Sequence, residues 1–267
     1  MLRSRLIPTL LVDQGRLVKT VRFKDPTYLG DPLNTVRIFN EKRVDELFVA
    51  DISASPTGRG PDFELLEKLA GESRMPVTYA GGVSTVEEVS RLVSIGIEKV
   101  AIGSASLDGL GLVDKASQTV GRQSVVVIIN SVVVNGHQPT AHLYNPVSRK
   151  PTTMNVSEFA ARAEAEGAGE LVLYSVDRDG SYRGYDFDLI QTIRNTVDIP
   201  ITLVGGASSD DDIRTLARDF GPVGIGVGSL FVFTGKFRSV LIQYPSHEKK
   251  LELCVAPGAL GAPIGRT

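Results

Sequence analysis

Tryptophan is absent, cysteine occurs once and histidine three times, and neither sign of charge is in excess: 29 Lys and Arg stand against 31 Asp and Glu in 267 residues. The single cysteine, Cys254, excludes a disulfide framework and a cysteine metal site, which suits a reducing, cytoplasmic setting. His137, His142 and His247 are scattered without ligand spacing, so no metal and no cofactor is expected. A net charge of -2 lacks the basic face that a polyanion demands, which argues against nucleic acid as a partner. No apolar run approaches the roughly 18 residues of a membrane span. The opening Met1-Leu2-Arg3-Ser4-Arg5 leads directly into a strand pattern, with no signal-peptide core.

Glycine is what the chain has in quantity, and its placement is ordered. Tyr79-Ala80-Gly81-Gly82-Val83-Ser84-Thr85 recurs half a chain later as Leu203-Val204-Gly205-Gly206-Ala207-Ser208-Ser209. Each copy follows an apolar run and precedes an acidic helix pattern. A second pair follows, Ala101-Ile102-Gly103-Ser104 and Ile225-Gly226-Val227-Gly228-Ser229. Asp45-Glu46-Leu47-Phe48-Val49 is matched by Gly169-Glu170-Leu171-Val172-Leu173. One unit has been duplicated.

Short apolar runs alternate with amphipathic ones, the pattern of βαβ units. Strands are expected to begin near Arg5, Glu46, Val77, Lys99, Ser124, Glu170, Ile201 and Val223. Helices are expected over 32–43, 63–70, 85–93, 108–116, 156–165, 187–195, 210–217 and 235–242. Asp31-Pro32 supplies a cap and a first-turn proline, while Ser84 with Glu87 and Ser208 with Asp211 read as capping boxes. Eight βα units in about 250 residues make a (β/α)8 TIM barrel built from two similar half-barrels. The competing architecture, a doubly wound open sheet, carries one nucleotide loop near its first strand rather than loops after four strands. The barrel is expected over 1–252, with half-barrels of about 1–122 and 123–245 and a flexible Gly/Pro-rich tail over 253–267. Two excursions interrupt the alternation. Residues 14–30 form a long loop after the first strand, a candidate lid, and residues 131–152 form another after the fifth, with Asn135-Gly136 as a hairpin signal.

In this fold the chemistry sits at the carboxyl ends of the strands. Backbone N–H groups of Gly81, Gly82, Gly103 and Ser104 are placed to hold one phosphate, and those of Gly205, Gly206, Gly228 and Ser229 another. Asp179 and Gly180, in Asp177-Arg178-Asp179-Gly180 after the sixth strand, join the second set. The plainer explanation is that tight βα turns need Gly-Gly whatever the ligand. Four loops paired by symmetry favour a phosphorylated small molecule.

These segments, with Arg5-Leu6-Ile7-Pro8, Gly15-Arg16-Leu17-Val18-Lys19, Asp51-Ile52-Ser53-Ala54-Ser55, Ser124-Val125-Val126-Val127 and Gly184-Tyr185-Asp186, resemble the cyclase subunit of imidazole glycerol phosphate synthase from Leu2 to about Phe233. The resemblance implies a barrel that takes ammonia from a separate glutaminase subunit, with which it forms a heterodimer. It also implies cleavage and cyclisation of a bisphosphate nucleotide at the top. The family's acid and base are two aspartates at the ends of strands one and five. Here those positions are Leu11 and Asn130, which cannot do that work. Asp13, two residues on with the same strand parity, is a substitute displaced by about 6–7 Å. A family asparagine is Gly103 here. The family's ring of charges at the bottom mouth falls on Arg5, Glu46, Lys99 and Glu170, all matched in charge, and Glu98 falls where the glutaminase docks. Pro8-Thr9-Leu10-Leu11, the run Lys19 to Pro26 and Phe39-Asn40-Glu41-Lys42 resemble a paralogous branch associated with bacterial surface-polysaccharide synthesis. That branch implies a sugar amidotransferase that builds an acetamidino group. Three functions compete: an ammonia conduit, an active cyclase (lyase) of histidine biosynthesis with Asp13 or Asp179 standing in, and an isomerase of the same pathway.

Overall fold

Eight parallel strands close on themselves in the computed structural model, which describes residues 3–134 and 140–254. They are β1 (Arg5–Asp13), β2 (Leu47–Asp51), β3 (Val77–Ala80), β4 (Lys99–Ile102), β5 (Val125–Val134), β6 (Glu170–Ser175), β7 (Ile201–Val204) and β8 (Gly224–Val227). β8 pairs with β1, and β5 with β6, all in parallel, so the ring has no edge and the open doubly wound sheet is excluded. The helices are α1 (Pro32–Glu41), α2 (Phe63–Glu72), α3 (Val86–Ser94), α4 (Gly111–Val120), α5 (Val156–Ala165), α6 (Phe187–Arg194), α7 (Asp210–Phe220) and α8 (His247–Cys254). A single helical turn, Ser104–Leu107, precedes α4, and the expected helix over 108–116 is therefore displaced toward the C-terminus.

Strand parity divides the core in two. Leu6, Leu10 and Val12 of β1 join the large apolar layer between barrel and helices. Ile7 instead joins Phe48, Val126, Val172 and Val204 in a small cluster that fills the bore. The barrel is thus packed through its middle and is not an open pipe.

Local signals explain most helix starts. The Asp31 carboxylate accepts from Asn34 N ahead of Pro32. The two capping boxes lie one residue later than expected, on Thr85 with Glu88 and on Ser209 with Asp212. Ser84 and Ser208 also bind those carboxylates, through both N and Oγ, so two adjacent hydroxyl residues share one acid.

The expected helix over 235–242 does not form. Phe233–Thr234 and Ser239–Val240 pair as an antiparallel ladder instead. Gly235 and Arg238 adopt φ of 69° and 50°, with Arg238 N bonded to Gly235 O, a turn that cannot continue a right-handed helix. The eighth helix comes later, as α8, and it buries Leu253 and Cys254, which the sequence reading put in the tail. Burial pushes the Cys254 thiol up to about 12, so it is an inert core group. The rest of the tail, like Asn135-Gly136, lies outside the described residues.

The excursion over 14–30 is a hairpin rather than a loop. Strands Arg16–Val21 and Lys24–Gly30 pair with each other, and the first also pairs with β1. After β5, strands Thr140–Asn145 and Lys150–Asn155 extend the sheet over the upper rim.

Candidate functional site

The floor of the barrel is a closed ring of alternating charge. Arg5 pairs with Glu46 and, at 2.6 Å, with Glu170. Lys99 Nζ bridges the same two carboxylates at 3.2 and 2.9 Å. Each glutamate accepts one further bond, from Thr78 Oγ1 to Glu46 at 2.7 Å and from Thr202 Oγ1 to Glu170 at 2.5 Å. Glu46 with Thr78 and Glu170 with Thr202 are equivalent pairs in the two half-barrels. Burial alone would raise the Glu170 carboxyl, but the charges of Arg5 and Lys99 and the bonds from Arg5 and Thr202 hold it below its ordinary value. The Arg5 guanidinium, penalised by burial, is held above its ordinary value by both glutamates. All four residues of the expected gate meet. Glu98 is exposed beside Lys99 at the same mouth.

At the upper face a cavity of about 370 Å³ opens over the first half-barrel. Leu11 and Asn130, at the expected acid and base positions, both line it, as do Asp13, Gly81, Gly82, Gly103 and Ser104. Leu11 is fully buried and Asn130 half-buried. Asp51 is not free for chemistry. One of its oxygens accepts from Ser53 and Ala54, and the other from Arg59 at 2.7 Å.

The hairpin after β1 reaches across this face. At its tip Phe23 packs edge-on against Tyr174 and Tyr144, with ring centroids 4.9 and 6.0 Å apart. Asp179 fastens it: one oxygen accepts from Thr20 Oγ1 and Phe23 N, the other from the Tyr174 hydroxyl. Both Asp179 oxygens are thereby committed to holding the hairpin down. Lys19, on the same hairpin, is fully buried and donates to Thr9 O. Burial lowers its ammonium to about 8, against the pull of Asp179.

The second set of anion-loop residues, Asp179, Gly180, Gly205, Gly206, Gly228 and Ser229, surrounds a separate recess of only about 20 Å³. The two halves, alike in sequence, are thus unlike in available space.

The glycines separate into two kinds. A Cβ on Gly82 would lie 2.3 Å from Arg59 O, and one on Gly206 would lie 2.1 Å from Gly184 O, with φ of +67° and +103°. Close passage of the preceding loop demands glycine there whatever the ligand. Gly103 differs: its nearest neighbour is Ile128 at 3.9 Å, so a side chain there would meet the open cavity and not neighbouring backbone. Gly206→Ala should accordingly destabilise the fold by more than about 1 kcal/mol. A thermal midpoint unchanged from the parent would show that packing does not dictate this residue.

Sequence reasoning missed Thr78, Thr202, Phe23, Tyr144 and Tyr174. The threonines were reachable, since they occupy matching places in the repeat. The aromatic residues were not, because their meeting depends on how two excursions fold over the rim.

Residues 5–238 match the family of histidine biosynthesis proteins. A Leptospira interrogans protein, provisionally named the HisF subunit of imidazole glycerol phosphate synthase, is 43% identical over 253 residues, covering 94% of this chain and 98% of the relative. A Vibrio vulnificus protein, provisionally named subunit hisF3 of that synthase, is 44% identical, covering 94% and 96%. The protein of Hyphomonas neptunium named as the HisF subunit is 39% identical, covering 87% and 91%.

Proposed function

Because the chain belongs to the histidine biosynthesis family and is an imidazole glycerol phosphate synthase HisF-like subunit, we propose that it conducts ammonia from a glutaminase subunit to an amidination step on a surface-polysaccharide sugar, without running the cyclase reaction itself. The observation that carries this reading is the contrast between the two ends of the barrel. The floor ring is complete and fully bonded, while the upper cavity presents leucine and a neutral amide where proton transfer needs titratable groups.

Ammonia is small and neutral, whereas in water near neutral pH it becomes ammonium. The cluster of Ile7, Phe48, Val126 and Val172 fills the bore, so passage requires these side chains to give way transiently, and their apolar surfaces offer no partner for a charge and favour the uncharged form. Opening the ring by moving one member leaves the remaining ions partly paired, which suits a gate better than a single ion pair would. Exposed Glu98 at the same mouth is offered to the glutaminase. The upper cavity, with open space at Gly103 and the backbone of Ser104 beside it, is left to an anionic group of a ligand or of the acceptor.

Co-purification with a glutaminase subunit, followed by a glutaminase-activation assay, tests the partnership. No association and no activation would end this reading. Lys99→Ala tests the route. Removing the cation that bridges Glu46 and Glu170 should lower glutamine-dependent output of the full complex by about tenfold, equivalent to about 1.4 kcal/mol on passage, and leave ammonium-dependent output unchanged. Equal loss of both would count against a gate.

The alternative, an active cyclase, draws support from Asp13, which lines the same cavity two residues beyond Leu11.

A further inference from the structure

The chain keeps its exposed apolar side chains on one face. Among the described residues eight large ones are exposed, and all eight lie on the three excursions at the carboxyl ends of β1, β5 and β8, residues 14–30, 131–152 and 233–242. Tyr28 is 63% exposed on the first, Val147 46% on the second and Phe237 90% on the third. All three excursions therefore stand on the upper face. Apolar residues scattered singly need no explanation, whereas their gathering on one face marks a surface that another molecule covers. The charges follow the same plan. Arg16, Arg22 and Lys24 on the first excursion, Arg149 and Lys150 on the second, and Lys236 and Arg238 on the third are exposed, against one exposed acid, Asp25, among the described residues of these segments. A chain of net charge -2 thus carries a cationic upper rim.

These segments are held in place. Phe23 of the first packs on Tyr144 of the second, so the two meet over the barrel mouth. Phe23, Pro26, Tyr144, Pro146 and Arg149 line the large cavity, which opens between them. On the third, Phe233–Thr234 pairs with Ser239–Val240, and the tight turn between them leaves Phe237 in solvent. The Arg238 guanidinium lies over the Tyr182 ring, 4.9 Å from its centroid, which ties this turn to the loop after β6. A surface fixed before it is covered loses little freedom on docking. Whatever sits on the tips of these segments closes the cavity from water.

We propose that the three excursions form the docking surface for the enzyme that consumes the ammonia, and that this enzyme meets them with an apolar patch ringed by Asp and Glu. The inference rests on the conduit reading above: a route that ends in an open cavity loses its neutral cargo to water unless the receiving protein caps the mouth. Charge decides against a second copy, because a symmetric pair on this face would set seven cations against seven. An anionic lipid surface would satisfy the charges, but it would cover the mouth and leave the ammonia no acceptor. An acidic, partly apolar protein surface satisfies the charges and the apolar tips together.

Tyr28→Glu, Val147→Asp and Phe237→Asp, made singly in the full chain, test it. All three side chains are exposed and none lines the cavity, so fold and route are spared. The probe is the purified sugar amidotransferase of the same organism, with ammonia supplied by the glutaminase subunit and glutamine or as ammonium salt. The parent should bind the amidotransferase, more weakly as salt rises. Each substitution should weaken that binding by at least about tenfold and lower glutamine-dependent amidination at limiting amidotransferase to a similar degree. Glutaminase activation and ammonium-dependent amidination should stay at the parental level. Glutamine-dependent amidination that is equal in parent and all three variants overturns the inference and leaves the conduit standing. Substitution-sensitive dimerisation in sedimentation, or substitution-sensitive pelleting with phosphatidylglycerol vesicles, in a parent that does not bind the amidotransferase also overturns it. A parent that supports no glutamine-dependent amidination removes the conduit reading and this inference with it.

Discussion

Glu170→Gln should lower the unfolding free energy by about 3–5 kcal/mol, toward the low end of that range because Arg5 keeps 30% of its side chain accessible. The amide preserves shape and removes charge. Arg5 and Lys99 would then share Glu46 alone, leaving positive charge uncompensated in a half-closed floor. Urea denaturation at neutral pH gives the number. The pH dependence supplies an internal check. The folded-state titration of Glu170 lies below its ordinary value of 4.5, so its contribution is fully present above that value and is lost as pH falls through the lowered range. The gap between parent and variant should therefore close in acid. A gap that is small at neutral pH, or indifferent to pH, would mean that the ring does not hold its charges as described. Replacing all four members with apolar residues of similar volume should leave stability unchanged or raise it by about 1–4 kcal/mol. Glutamine-dependent transfer should be lost in that variant, which would show that the ring is kept for passage and not for strength.

Given the bisphosphate nucleotide that HisF-type cyclases are expected to use, with ammonium at high pH, the unaltered chain should show no turnover above background. A positioned acid or base contributes about 10²–10⁴-fold, so the absence of both predicts a deficit of at least about 10⁴ against relatives that carry two carboxylates. Leu11→Asp with Asn130→Asp should restore measurable cyclisation, a gain of at least about 10². Both positions line one cavity, and Leu11 lies on the same parity as Asp13. A carboxyl placed at Leu11, a fully buried position, would be pushed up toward a range suited to a general acid. Turnover by the parent at a rate comparable with its histidine-pathway relatives would defeat the conduit reading. So would full activity that depends on Asp13.

The barrel was legible because duplication writes the same strand starts and loops twice, and hydrophobic parity then fixes which residues face inward. The floor ring was legible for a related reason: Arg5, Lys99 and Glu170 begin strands and Glu46 directly precedes one, and strand starts at one end of a closed barrel must converge. Capping boxes were misplaced by one residue because Ser84-Thr85 and Ser208-Ser209 offer two hydroxyls to one carboxylate, a choice made by backbone geometry. The segment 235–242 carries residues compatible with a helix, and only the left-handed positions at Gly235 and Arg238 reveal the turn. The upper face was the least legible part. Gly82 and Gly206 carry the most motif-like signal, yet crowding from neighbouring backbone explains them. The residues that shape the space, Phe23, Tyr144 and Tyr174, look unremarkable along the chain, because their effect comes from separate excursions meeting over the rim.

β1 lies between β8 and β2, so the first strand made is also the last to be enclosed. On a ribosome, its outer ladder waits until residues beyond Gly224 have emerged, and the clasp of Ser4 N on Cys254 O waits longer still. Until then a nascent half-barrel presents two bare sheet edges, the kind that recruit other chains. Ring closure is therefore an event that follows synthesis, and guarding those edges in the interval falls to whatever meets the emerging polypeptide first.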